Sequence, residues 1–105
     1  MLLFKKKFLD AIRRGEKTQT IRLWDRRRMK SGQRSYIPGV GYIHVERVEP
    51  IEIDALTDAD ALPDGFPSAE LLRRELSELY ARELAAGHRA YRVVFRLLPA
   101  AEKSG

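Results

Sequence analysis

The chain has 105 residues, 44% hydrophobic and 33% charged, the composition of one globular domain built on one core. It contains no cysteine, which excludes disulfides, thiolate metal sites and cysteine nucleophiles. Its net charge of +5, carried mainly by arginine, favours a polyanionic partner, because guanidinium forks match phosphate geometry.

The first residues, MLLFKKKFLDAIRRG, place Phe4, Phe8 and Ile12 four apart with Leu9 beside them. This spacing predicts a short amphipathic helix with Lys5, Lys6, Lys7, Arg13 and Arg14 on its outer face and Gly15 closing it. Charge interrupts the apolar residues and no cleavage site follows, so the segment is not a signal peptide. No apolar run approaches the ~18 residues of a membrane span. A cytoplasmic protein without a membrane partner is expected.

Thr18 to Trp24 alternates and is rich in β-branched residues, which predicts a strand. Ile21 and Leu23 take one face, and Thr18, Thr20, Arg22 and Trp24 the other. Asp25 to Gly32 reads as a charged loop, and Gln33 to Ile37 as a strand stopped by the Pro38-Gly39 turn. A longer strand runs from Gly41 to Val48, and Pro50 marks an edge or bulge before Ile51 to Ile53. Thr57 is placed to cap a helical turn within a connector, and Pro63 to Phe66 forms a turn.

Ser68 is a candidate N-cap for a helix that ends at Gly87. Leu71, Leu72, Leu76, Leu79, Tyr80 and Leu84 follow it at helical spacing. Glu70, Arg74, Glu78 and Arg82 supply i,i+4 pairs on its outer face. Tyr91 to Leu98 is the closing strand, and residues 99–105 form a polar tail after a single domain spanning 1–98. Strands joined by turns too short for crossover helices predict an α+β, mainly β, fold. The expected form is a small barrel of mixed or antiparallel strands with two flanking helices.

His44 and His88 lie far apart and lack partners at ligand spacing, so neither a metal nor a cofactor is expected. There is no nucleophile elbow and no phosphate-cradling glycine loop. What remains is GEKTQTIRLW, residues 15–24, where a lysine, a threonine and an arginine gather around one strand entrance. Lys17 and Thr20 differ by three positions, so on a straight strand they would point oppositely. They meet only if Lys17 lies in the turn with its stem bent inward.

Gly15, Lys17, Thr20 and Arg22 match the Gly-x-Lys-x-x-(Glu/Thr)-x-Arg signature of the ASCH family, within the PUA-like superfamily. The helix before them, the stretch LTDADALPDGFPSAELLRRELSELY and the closing AYRVVFRLL extend this resemblance from about Met1 to Leu98. The resemblance implies a PUA-like β-barrel with a cleft at its mouth and binding of RNA or a modified nucleoside or nucleotide. In its Lys-Thr-x-Thr-Ile-Arg form the motif is similar to a bacterial branch of small amidohydrolases that deacylate N4-acetylcytidine. Their catalytic lysine, threonine and glutamate fall by position on Lys17, Thr20 and Asp64. The aspartate reaches one methylene less far, and Gly32-Gln33 stands where the family usually has Gly-Asp.

In chemical terms Lys17 is a candidate base, Thr20 a nucleophile and Asp64 a group to orient the ammonium or assist the leaving amine. Arg22 is a candidate for holding phosphate or a developing oxyanion. Trp24 offers a stacking surface, and Arg26, Arg27 and Arg28 a basic rim along a nucleic-acid backbone. Three readings stay open: nucleotide or RNA binding through Lys17, Thr20 and Arg22; amide hydrolysis at the same residues; and a protein adaptor that uses the basic rim.

Overall fold

The computed structural model describes residues 1–99, so all but the first residue of the expected tail lies outside the described residues. The first apolar stripe forms a 3-10 turn, Lys6–Phe8, that runs into helix α1, Leu9–Arg13. Ile12 is buried while the three lysines face solvent. Gly15 ends this element at φ +76°, a left-handed conformation that an L side chain rarely adopts.

Strands β1 (Gln19–Trp24), β2 (Arg34–Ile37), β3 (Gly41–Ile51) and β4 (Arg89–Leu97) make one sheet in the order β1-β4-β3-β2. All its pairs are antiparallel, which removes the mixed alternative. The sheet curls into a half-barrel rather than a closed barrel, because β1 and β2 stay at its two edges. Its register sets Thr20 opposite Val93, Arg22 opposite Tyr91 and Val48 opposite Val93.

The bulge in β3 falls between Val45 and Arg47, and the strand continues through Pro50, which pairs with Tyr91. β2 covers β3 only as far as His44, so Pro50 meets a strand edge where its missing N–H leaves no ladder bond unmade. Beyond β3, Ile53–Ala55 is a 3-10 turn. Thr57 caps helix α2, Asp58–Ala61, in a reciprocal capping box with Asp60. A further 3-10 turn, Leu62–Asp64, ends at Gly65 with φ +91°.

Ser68 accepts from the Leu71 N–H and starts α3, Ala69–Leu79. The single helix expected to reach Gly87 is instead broken at Tyr80 (φ −118°, ψ 30°), and α4 covers only Ala81–Ala85. Leu72 and Leu76 are buried, but Leu71, Leu79 and Leu84 are exposed, so no continuous apolar stripe holds a straight helix here. Breaking at Tyr80 lets its ring pack against the α3 side of the sheet. Of the expected i,i+4 pairs, Glu70–Arg74 closes, at 3.8 Å.

The sheet separates two apolar clusters. Ile21, Leu23 and Ala90 join Leu72, Leu76, Leu56 and Ala61 on the helical side. Ile12, Ile37, Ile43, Val45, Tyr91, Val93 and Phe95 fill the other side, with Phe4, Phe8 and Trp24 at its border. The predicted alternation of β1 is therefore observed, and it sends Thr20, Arg22 and Trp24 away from the α3 core. Among the described residues no helix is long and apolar enough to cross a membrane.

Candidate functional site

A cleft of about 350 Å³ opens along β1, the sheet edge, between α3 and the N-terminal segment. Its walls are mostly apolar, with Phe4, Phe8 and Phe66 prominent among them. Four polar residues singled out from the sequence, Lys17, Thr20, Arg22 and Asp64, all line it. Ligand sites commonly combine such an apolar wall with a few converging polar groups.

Lys17 is in the turn, as the three-residue offset from Thr20 required. The Glu16 and Lys17 N–H groups both donate to the Ala11 carbonyl, at 2.9 and 3.1 Å, folding the chain back over α1. From there the Lys17 stem runs past Gly65, and the side chain is only 3% exposed. Its ammonium donates to Asp64 Oδ1 at 2.7 Å and to the Asp64 carbonyl. Phe8 (4.8 Å), Phe4 and Phe66 (5.8 Å each) surround it, so ring faces supply part of the solvation that water has lost. Burial pushes the Lys17 pKa below the ordinary lysine range, an effect that Asp64 opposes and Arg22 reinforces.

Asp64 is equally buried, in the 3-10 turn before Gly65. Its second oxygen accepts from Gln19 Nε2 at 3.1 Å, and the same nitrogen donates to the Asp60 carbonyl at 2.9 Å. A backbone bond from Thr18 N to Pro63 O (2.8 Å) ties the start of β1 to this turn. Gln19 thus completes the carboxylate's surroundings, a role its sequence position did not signal. Breaking a buried pair of this kind by removing one partner costs about 3–5 kcal/mol.

Arg22 is held differently. Its Nε donates to Thr20 Oγ1 at 3.0 Å and its Nη2 to the Leu3 carbonyl at 2.6 Å, while the guanidinium stacks over Phe4 at 4.7 Å. Among the described residues no carboxylate forms an ion pair with it, and its close partners are neutral oxygens. Burial lowers its pKa, with the neighbouring Tyr80 hydroxyl and the more distant Asp64 opposing. Burial likewise raises the Tyr80 pKa, against Arg22. A half-buried guanidinium with no carboxylate among the described residues has the chemistry to receive an anion.

Lys17 with Asp64 and Arg22 with Thr20 therefore form two pairs facing one cavity. No hydrogen bond joins the Lys17 ammonium to the Thr20 hydroxyl. Thr20 accepts from Arg22, which leaves its own proton available for donation.

The other expected binding residues stand elsewhere. Trp24 packs its ring on Tyr91, with centroids 5.5 Å apart, and lines with Arg28 a smaller neighbouring cavity of about 270 Å³. Arg28 is also ion-paired with Asp25 at 2.7 Å. Arg27 donates to the Val48 carbonyl at 3.0 Å and lies over Tyr91. Arg26 is exposed and, like Arg27, does not border the cleft. The loop that carries Arg26 to Arg28 leaves β1 at its far end and turns toward β3, which keeps all three off the wall of this cleft. Cations near the cleft come instead from Lys5 and Lys7, both 3.2 Å from Glu75 on α3. Burial alone would raise the Glu75 pKa, but the two lysines outweigh it and hold it low. Phe4 and Phe8 read from the sequence as a core stripe, and nothing in their spacing distinguished a pocket wall from a core.

Among the described residues no group of three histidine or acidic side chains is placed to hold a metal ion. Fold and cleft together define a small antiparallel α+β protein with a ligand-sized pocket at its sheet edge. No known family model matches the chain, and no curated protein matches it either. In structure it is similar to the hypothetical protein PH0355, with a TM-score of 0.72 and 18% identity over 91% of this chain and 95% of that one. It is also similar to EF3133 from Enterococcus faecalis V583, a protein of the family DUF984. That match has a TM-score of 0.70 and 18% identity over 88% of this chain and 70% of the other. At such identity the likeness defines a shared fold and carries no chemistry.

Proposed function

We propose that this is an ASCH-type protein that binds a nucleotide or the exposed end of an RNA, with one base in the β1-edge cleft. The observation that carries this reading is Arg22, a half-buried guanidinium without a carboxylate beside a phenylalanine-walled cavity. An aromatic wall suits the flat apolar face of a base, and Arg22 suits the phosphate or carbonyl oxygen attached to it. The net charge of +5 adds long-range attraction for such a ligand. Calorimetric titration at low salt with cytidine 5′-monophosphate tests it directly. Saturable binding that weakens with salt, and roughly tenfold or more in Arg22→Ala, is expected for a lost charge-assisted contact. Absence of binding at low salt, or an unaffected Arg22→Ala variant, overturns the reading.

A second reading, hydrolysis of an N4-acylated cytidine, is favoured by the lowered Lys17 pKa in a cavity shared with Thr20 and Asp64. Neutral Lys17 would take the Thr20 proton as Oγ1 attacks the acyl carbon, and Arg22 would face the resulting oxyanion. The C–N4 bond then breaks, N4 takes the proton back, and water releases the acid from Thr20. Lys17 must first leave Asp64 and swing toward Thr20. Release of cytidine from N4-acetylcytidine by the wild type, lost in Thr20→Ala, is the expected result. Turnover retained in Thr20→Ala removes the nucleophile.

A further inference from the structure

The smaller cavity shares two lining residues, Leu3 and Arg22, with the β1-edge cleft. The two spaces are therefore neighbours, both bordered by Arg22 and by Leu3, whose carbonyl Arg22 holds. Trp24 forms part of the second cavity's wall, its ring backed by Tyr91 and so fixed in orientation. Ser35 lines the same space while more than nine-tenths buried, and its Oγ has no hydrogen-bond partner within the described protein. A buried hydroxyl left unmatched costs free energy, and a polar ligand in this cavity would match it once a χ1 turn brings the enclosed Oγ to the cavity face. Gln33 borders it too; its amide oxygen accepts from the Lys30 N–H, which leaves its NH₂ group to donate.

We infer that this second cavity is a subsite for a neighbouring nucleotide. Its base stacks on Trp24 and is read by the Ser35 hydroxyl and the Gln33 amide, and the phosphate linking the two nucleotides lies at Arg22. The ligand is then a strand of at least two nucleotides rather than a free nucleoside. This inference rests on the proposed binding reading, because it needs a first base in the β1-edge cleft. Chemistry supports the division of labour. The first cavity is walled mainly by phenylalanine and leucine. The second sets a tryptophan and two uncharged hydrogen-bonding residues beside Leu2, Leu3 and Met29. Among the described residues no carboxylate forms an ion pair with the cation that both share. Arg28 also lines the second cavity, ion-paired with Asp25.

Trp24 is the chain's one tryptophan, so its fluorescence reports occupancy of this subsite alone. The full chain is titrated with cytidine 5′-monophosphate and with the dinucleotide CpA, following heat and tryptophan emission together. The dinucleotide is expected to quench Trp24 and to bind about tenfold or more tightly than the mononucleotide, the range of one added base–aromatic stack. In Ser35→Leu, which removes the hydroxyl and fills the space, the dinucleotide's affinity is expected to fall to that of the mononucleotide. If the mononucleotide binds but the dinucleotide neither gains affinity nor quenches, the subsite is refuted and the one-base reading stands. If neither ligand binds, both are refuted. Equal quenching by the mononucleotide also overturns the assignment, since it places the single base at Trp24.

Discussion

Two charge clusters, one on β4 and one at the entrance to its neighbour β1, differ in how much hydration they give up. Arg92 on β4 binds Glu49 and Asp60, both at 2.9 Å, with side chains 19%, 39% and 30% exposed. Lys17 meets Asp64 at 2.7 Å with side chains 3% and 4% exposed. The first cluster keeps part of its water and joins β3, β4 and α2, with ion pairs that outweigh the desolvation of Arg92 and Glu49. The second gives up nearly all hydration, and a packed apolar pair would serve stability as well or better. Such a pair in the wall of a ligand-sized cleft accords with the proposed site, where charge would be held at a cost to stability.

The largest test of this contrast is removal of one buried partner. Lys17→Ala should lower unfolding free energy by about 3–5 kcal/mol in urea titration, because Asp64 is left charged and enclosed. The double variant Lys17→Met with Asp64→Leu should regain most of that loss yet bind no ligand. A double variant as unstable as the single would mean that the pair stabilises the fold outright.

Gln19→Ala sharpens the comparison on a smaller scale. It removes the second hydrogen bond to Asp64 and should cost about 1–3 kcal/mol, the range for a charged group losing a buried partner. Arg92→Ala, by contrast, should cost about 1 kcal/mol or less, diminish with added salt and leave ligand affinity unchanged. An Arg92→Ala loss as large as that of Lys17→Ala would erase the distinction between the clusters.

The smallest expected effect is in pH. Burial lowers the Lys17 pKa in the folded state below its ordinary 10.5. The charged lysine therefore opposes folding in full below the folded value. That opposition fades as pH rises from there toward 10.5, so this group contributes stability that increases with pH. Measured as wild type minus the Lys17→Met, Asp64→Leu variant, the stability difference should shift toward the wild type over that window. A difference flat in pH would mean that Asp64 cancels the burial.

Much of the scaffold was legible in local patterns. The alternation of Thr18 to Trp24 assigned the faces of β1, and Thr57, Ser68, Gly15 and Gly87 marked element ends at their own positions. Those signals are read within a few residues, which is why they survive without tertiary context. The break at Tyr80 was not legible, because helical spacing continues through it and only packing against the sheet interrupts the helix. Nor was the bulge at Glu46, since a proline four residues on offered the stronger local sign.

The candidate site divides along the same line. Residue types and their order along GEKTQTIRLW singled out Lys17, Thr20 and Arg22, and positional resemblance added Asp64. Each is a polar group that a half-buried strand and its turn do not need. The chain order alone determined that a lysine, a hydroxyl and a guanidinium would gather near one strand entrance. Only the tertiary structure decided that Lys17 pairs with Asp64, 47 residues away, and Thr20 with Arg22. It alone sent Arg26 and Arg27 away from the cleft, brought Glu75 and three phenylalanines to it, and set Gln19 against Asp64. The reason is physical: a side chain's type is a local property, whereas its burial and its partner are set by what the sheet edge and α3 bring against it.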